Sequence, residues 1–247
     1  MRDTVLDELG GMFYLILKDL KAYYFKPPNI SWGVLFPLVM ALAFTLRNPS
    51  GLAELFPGLV AMAALFGTTS MEAIVITFEK RVGALERLML APLSLWTILM
   101  GKVLGGSIFG VMMAGAMTLI SLALLGGWVT SPLLFTLSIL LTVLVHSALG
   151  ALIAVSVREV FEAQTLSNYF RFPMIFLCGV FLPVGAMPLP LRLLAHALPL
   201  TYSVDALRQT SMGPLNPGLF LADVLALILF LSVFLASAMR MLNKSLE

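Results

Sequence analysis

Several uninterrupted stretches of about 20 apolar residues dominate this chain, and each can cross the roughly 30 Å hydrocarbon layer of a bilayer as a helix. The runs fall near 30–46, 55–78, 103–126, 132–157, 170–186 and 218–239. No single soluble core needs so many. Of 247 residues 60% are apolar and only 11% charged, against about 25% charged in soluble domains. The expectation is an all-α polytopic membrane protein, a single domain over 1–247 with six transmembrane helices.

The formal charge of +2 leaves no basic stripe large enough for nucleic acid. Cys178 is the one cysteine, which excludes an internal disulfide and a cysteine-rich metal site. His146 and His196 lie too far apart in sequence for a short spaced ligand pair, so no metal is expected. With six spans both termini share a side, and the basic residues can be counted by side. Arg2, Lys18, Lys21, Lys26, Lys80, Arg81, Arg87, Lys102, Arg158, Arg171, Arg240 and Lys244 fall on one side, Arg47, Arg192 and Arg208 on the other. Positive residues favour the cytoplasmic side. Both termini, the loop from Glu79 to Lys102 and the loop from Arg158 to Arg171 are therefore expected in the cytoplasm.

The N-terminal segment, 1–28, does not read as a cleavable signal. Asp3, Asp7 and Glu8 spoil a basic start, and Lys18 cuts its apolar stretch short. Val5, Leu9, Met12, Phe13, Ile16, Leu20 and Tyr24 recur at helical spacing, predicting an amphipathic helix on the inner membrane surface, in contact with lipid. Pro27 and Pro28 end it. Residues 183–210 are apolar yet broken by Pro183, Pro188, Pro190 and Pro199 and carry Arg192, Asp205 and Arg208. Broken helices at membrane depth survive only where protein or a cavity satisfies the freed backbone, so this stretch reads as an outer re-entrant hairpin before the last span.

The most informative polar segment runs from Phe78 to Lys102. Charges at Glu79, Lys80, Arg81, Glu86 and Arg87 surround a short apolar face of Leu85, Leu88 and Met89, and Pro92 closes the helix. On composition alone it is either a solvated loop between spans or a helix resting on lipid or on another protein.

The order Glu79, Gly83, Ala84, Leu85, Glu86, Pro92, Gly101, Lys102 resembles the segment after the second span in the membrane subunits of type-2 ABC exporters, with Ala84 where threonine is usual. A second match is Gly179, Phe181, Pro183, Pro199, Leu200, Thr201, Tyr202, Asp205 and Arg208, the outer-hairpin pattern of the same family. The resemblance implies a coupling segment over 79–102, with Glu79, Gly83, Leu85, Glu86, Arg87, Leu88, Met89 and Pro92 serving contact with a cytosolic ABC ATPase. It also implies a homodimer, or a pair with a related permease, and residence in the inner membrane of a prokaryote. The implied cargo is an amphipathic or lipid-like solute moved outward, such as a drug (multidrug resistance), a lipid or a lipid-linked glycan.

A phosphate-cradling G-x-x-x-x-G-K-[ST] loop is missing here, since Trp96 stands five positions before Gly101 and Val103 follows Lys102. The chain is accordingly expected to be no enzyme and to bind no cofactor, with ATP and Mg held by the partner ATPase. Glu72, preceded by Thr68, Thr69 and Ser70, is the acid lying well inside a run, and His146 sits near the middle of another. Thr68, Thr69, Glu72 and His146 are candidates for the translocation route, with structural hydrogen bonding as the other reading. Gly101, Gly105, Gly106, Gly110 and Ala114 form a small-residue stripe suited to close helix approach, within the subunit or across a dimer. An ion-coupled transporter would need an internal repeat and midplane acids. A membrane enzyme would need a motif such as H-E-x-x-H or G-x-S-x-G, which does not occur.

Overall fold

In the computed structural model the described residues are 2–47, 53–124 and 126–244. The side chains of Arg2, Asp3, Val5, Pro27, Pro28 and Arg47, used in the sequence reading, lie outside the description. The described residues form an all-helical bundle. Helix α1 (Arg2–Asp19) continues through a π-helical turn, Leu20–Tyr24, and the chain then bends by 87° into α2 (Pro27–Arg47). Pro27 sits at the start of α2, where its missing N–H costs nothing. Next come α3 (Phe56–Arg81), the short α4 (Ala84–Met89), α5 (Leu95–Leu124), α6 (Pro132–Ser156) and α7 (Val160–Leu177). Then follow α8 (Leu189–His196), α9 (Pro199–Ser211) and α10 (Pro217–Lys244).

Among the described residues four stretches are long and apolar enough to cross a membrane: Ala53–Arg81, Leu95–Leu124, Pro132–Ser156 and Pro217–Lys244. The bent pair Asp7–Tyr24 and Asn29–Phe44 makes a fifth if it counts as one span. The run expected at 170–186 is displaced. Helix α7 starts at Val160, inside the expected loop from Arg158 to Arg171, and its early turns are polar. A reciprocal cap starts it there, with the carboxylates of Glu159 and Glu162 each accepting from backbone N–H groups at the helix start. It ends at Leu177 because Gly179 adopts φ +82° and Pro183 follows.

Helix α3 is the hub. It packs against α2, α5, α6, α7 and α9, and Leu59 to Leu65 are buried on every side. This explains why its apolar residues show no preferred face. Helix α10 is peripheral, packed on α6 and α9, with Leu221, Leu225, Leu229 and Val233 exposed on its outer side.

The small-residue stripe on α5 is consumed inside the subunit. A β-carbon at Gly101 would meet Leu15 of α1 at 3.2 Å, one at Gly110 would strike Thr68 of α3, and one at Gly106 would strike the Glu72 carboxylate. The glycines therefore make room for specific neighbours, which is the within-subunit reading of the stripe.

Three basic residues counted on the inner side are not solvated loop residues. Lys102 is buried, Lys18 is half-buried in the same ion cluster, and Arg171 is enclosed against α3.

A β-carbon at Gly150 of α6 would lie 2.5 Å from the Thr69 carbonyl oxygen and 2.8 Å from Glu72 Cβ. Gly150→Val is expected to destabilise the protein by roughly 1–3 kcal/mol, seen as a lowered Tm in detergent. Gly115→Ala, whose β-carbon meets nothing within 4 Å, should leave Tm unchanged or raise it.

Candidate functional site

At the C-terminal end of α3, Val82 and Gly83 turn the chain into α4. Gly83 takes φ +68°, a left-handed conformation that favours glycine. Arg87 stiffens this corner, donating from Nε to the Gly83 carbonyl at 3.0 Å and from Nη2 to the Val82 carbonyl at 3.1 Å.

The apolar face of α4 does not point away from the subunit. Leu85 is buried in a cluster with Leu15, Ile76, Ile98 and Leu99, and Leu88 and Met89 pack against the same cluster. The face left open carries Val82, Glu86, Arg87, Leu90 and Pro92, with Leu90 86% exposed. Leu90 was not among the residues singled out from the sequence. Its signal was present in the pattern, since it stands outside the Leu85–Leu88–Met89 face.

Glu79, grouped with the coupling segment in the sequence reading, is fully buried and belongs to a different structure. Lys18 Nζ donates to Glu79 Oε1 at 2.6 Å and lies 3.1 Å from Asp19 Oδ1. Lys102 Nζ lies 2.8 Å from Asp19 Oδ2 and also pairs with Glu79 Oε2. Two cations and two carboxylates thus neutralise one another where α1, α3 and α5 meet. Such a cluster is tolerable only while complete, because removing one member strands a buried charge.

Deeper along α3, Tyr24 donates its hydroxyl to Glu72, and both are fully buried. At the N-terminus of α5, Glu8 of α1 accepts from the Ser94 backbone N–H at 3.0 Å, from Ser94 Oγ at 2.9 Å and from Thr97 Oγ1. A carboxylate there satisfies free N–H groups and favours the helix dipole. Helix α1 is thereby tied to α5 and α3 at three levels. The amphipathic pattern of α1 does not reveal these contacts, because pairing over 61 or 83 residues of separation leaves no local trace.

The route candidates are brought together. Thr68, Thr69 and Glu72 on α3 and His146 on α6 are all buried within the subunit. Thr68 Oγ1 donates to the Ala64 carbonyl at 2.8 Å, and Thr69 Oγ1 to the His146 carbonyl at 3.1 Å. His146 Nδ1 donates to the Thr142 carbonyl at 2.7 Å. None of the four reaches the surface of this single subunit.

At the other end of α3 the hairpin residues also converge. Pro199 begins α9, and Thr201 Oγ1 donates to the Ala195 carbonyl at 2.5 Å, locking α8 to α9. Tyr202 donates to the His196 carbonyl at 2.8 Å. Arg208 Nη2 reaches the Gly179 carbonyl at 2.7 Å, and its Nη1 lies 3.5 Å from Asp205. Burial pushes the Asp205 carboxyl up from its ordinary value, with Arg208 and His196 opposing that shift. Arg192 donates to the Gly185 carbonyl at 2.6 Å. A cavity of about 960 Å³ opens beside this region, lined by Phe44, Glu54, Trp128, Phe181, Pro183 and Arg208 among others.

The α3–α4 corner and the α8–α9 pair thus stand at opposite ends of one 26-residue helix, about 39 Å apart at 1.5 Å per residue. The sequence of residues 11–212 is matched by a family model described as ABC-2 type transporter. The chain belongs to the ABC-2 type transporter family. It is similar to the inner membrane transport permease YadH of Escherichia coli K12, 26% identical over 157 residues, 64% of this chain and 61% of the relative. It is also similar to nodulation protein J of Bradyrhizobium diazoefficiens, 28% identical over 176 residues, 67% of this chain and 64% of that protein. The matched region thus spans less than two thirds of these relatives' own lengths.

Lys102→Met is expected to cost about 3–5 kcal/mol by leaving Asp19 and Glu79 short of a cation. Lys102→Met combined with Glu79→Gln should recover a large part of that loss. Chemical unfolding of the two variants in detergent checks the non-additivity.

Proposed function

We propose that this chain is the membrane-spanning permease subunit of an ATP-driven ABC exporter, working with a separate cytosolic ABC ATPase and a second permease subunit. The observation that carries the reading is the α3–α4 corner. A stiff, outward-facing surface of Glu86, Arg87, Leu90 and Pro92 is anchored by Leu85 to the core and continuous with the central helix. A push on α4 is delivered directly to α3 and, through the Lys18–Asp19–Glu79–Lys102 cluster, to α1 and α5. That is the mechanical requirement for rigid-body movement driven from outside the membrane.

In this reading α2 and α7 complete a set of six spans with α3, α5, α6 and α10, and α8 with α9 forms the re-entrant outer hairpin. Both termini and α4 face the cytoplasm. Helix α1 lies at the inner membrane surface, its exposed Leu9, Phe13 and Tyr14 meeting lipid. ATP and Mg stay on the partner, and the solute passes between two permease subunits outward. The apolar and aromatic surfaces available to it favour an amphipathic molecule, such as a hydrophobic drug, a lipid or a lipid-linked glycan. Family membership leaves the ion-coupled transporter and membrane-enzyme readings without a supporting observation.

The test is capture of the full chain from native membranes and identification of a co-eluting subunit that carries a phosphate-binding loop. Glu86→Arg with Leu90→Asp should leave membrane level and Tm unchanged while reducing ATPase recovery by about tenfold or more, as expected for loss of central interface contacts. Undiminished recovery and transport in that variant would place the docking surface elsewhere. Leu85→Ala, by contrast, should lower Tm by removing a buried side chain, a loss of about 2–5 kcal/mol.

A further inference from the structure

Arg171 of α7 differs from the other buried charges because no carboxylate pairs with it among the described residues. Its residue is only 7% exposed. The guanidinium lies over the Phe66 ring, 3.9 Å from its centre, and Nη1 donates to Ser70 Oγ on α3. Phe66 in turn stacks on Phe36 of α2 at 4.5 Å. The flat face of the guanidinium is thus held by an aromatic ring and one edge by a hydroxyl, while Nε has no hydrogen-bond partner. A guanidinium carries five N–H donors, and this one is left with donors to spare.

Depth makes that arrangement consequential. Ser70 lies 14 residues after Phe56 and 11 before Arg81 on α3, roughly 21 Å and 16 Å along the helix at 1.5 Å per residue. Arg171 therefore stands near the middle of the span, where water is not available to complete its hydrogen bonds and an unpaired cation is costly. A positioned, desolvated arginine of this kind is suited to forked recognition of a carboxylate or phosphate. On the same helix Phe172 and Phe176 are exposed, as are Leu35 and Val39 on α2. Exposed apolar side chains thus stand on the helix that carries the cation and on the helix against which Phe66 stacks.

We propose that Arg171 is the anion-recognising residue of this permease, holding the phosphate or carboxylate head of an amphipathic solute at mid-depth beside α3. The apolar part of the solute lies along Phe172 and Phe176. The inference rests on the permease reading and deepens it by naming the solute as an anionic amphipath. Phe66 and Ser70 act as positioning residues that keep the guanidinium plane fixed.

The experiment uses the complete permease–ATPase complex in phosphatidylethanolamine vesicles. Three probes share one tail: dodecyl phosphate, dodecyl maltoside and dodecyltrimethylammonium. Dodecyl phosphate should stimulate wild-type ATPase at a concentration about tenfold or more below that needed for Arg171→Gln, the size expected for loss of a charged hydrogen bond. Responses to the other two probes should be equal in both proteins, and Arg171→Lys should restore part of the phosphate response. Equal responses of wild type and Arg171→Gln to dodecyl phosphate overturn the proposal.

Phe172→Trp, which keeps Arg171, gives a readout independent of how Arg171→Gln folds. Its added fluorescence should shift with dodecyl phosphate and not with dodecyltrimethylammonium, and no shift overturns the proposal. Vesicles containing phosphatidylglycerol separate a solute from a resident lipid. The dodecyl phosphate response should persist there, and its abolition assigns Arg171 to a lipid headgroup instead. Dissociation of the permease pair by Arg171→Gln assigns the acceptor to the second copy, which also overturns the proposal. Absence of an ATPase from the wild-type complex sinks the permease reading and this inference with it, whereas a functional complex with equal probe responses sinks only the inference.

Discussion

Lys18, Asp19, Glu79 and Lys102 meet inside the bundle with their charges cancelled, and the geometry of the α4 end of the protein follows from that closure. In a bilayer, charges that are not neutralised within the protein must snorkel to the interface or stay unpaired at high cost. Pairing them pins α1 to α3 and α5 along a narrow line. Gly101 and Gly105 of α5 let α1 approach closely enough for the pairing, with Leu15 and Asp19 seated over them. Gly106 then leaves space for the Glu72 carboxylate that Tyr24 reaches. Small residues and charged residues are two halves of one device.

That device changes what the α4 corner can do. A short helix at the end of a long one would be free to tilt if only a loop held it. Here Leu85 is set into the core cluster and Arg87 closes the left-handed turn at Gly83, so α4 moves with α3. Because α3 is packed on five other helices, displacement of its C-terminal end is shared by the whole bundle. At its N-terminal end α3 meets the α8–α9 pair, where Arg208 fastens α9 to Gly179 beyond α7. A continuous packed path therefore runs from the surface of α4 to the cavity at the opposite end of α3.

Much of this was legible before any coordinates. The helical class, the short polar helix between two apolar runs and the proline breaks at Pro183, Pro188 and Pro199 all appear as patterns within a few residues of one another. Hidden from local pattern were the destinations of the polar side chains. Lys102 and Arg171 read as inner-surface cations, yet both are enclosed. Glu79 read as part of a docking surface, yet it closes an ion cluster. The start of α7 was also missed, because a polar helix start capped by Glu159 and Glu162 resembles a loop in composition.

By itself the sequence determined that the chain must be helical and lipid-embedded, since runs of about 20 apolar residues leave no other way to satisfy their backbone in a bilayer. It also determined where the chain turns, since proline and left-handed glycine act through their own backbone. Tertiary structure alone decided which charges are neutralised, which face of α4 is open and which buried cation keeps spare donors. Those properties depend on partners brought together from distant parts of the chain, as Lys18 with Glu79 and Ser70 with Arg171 show.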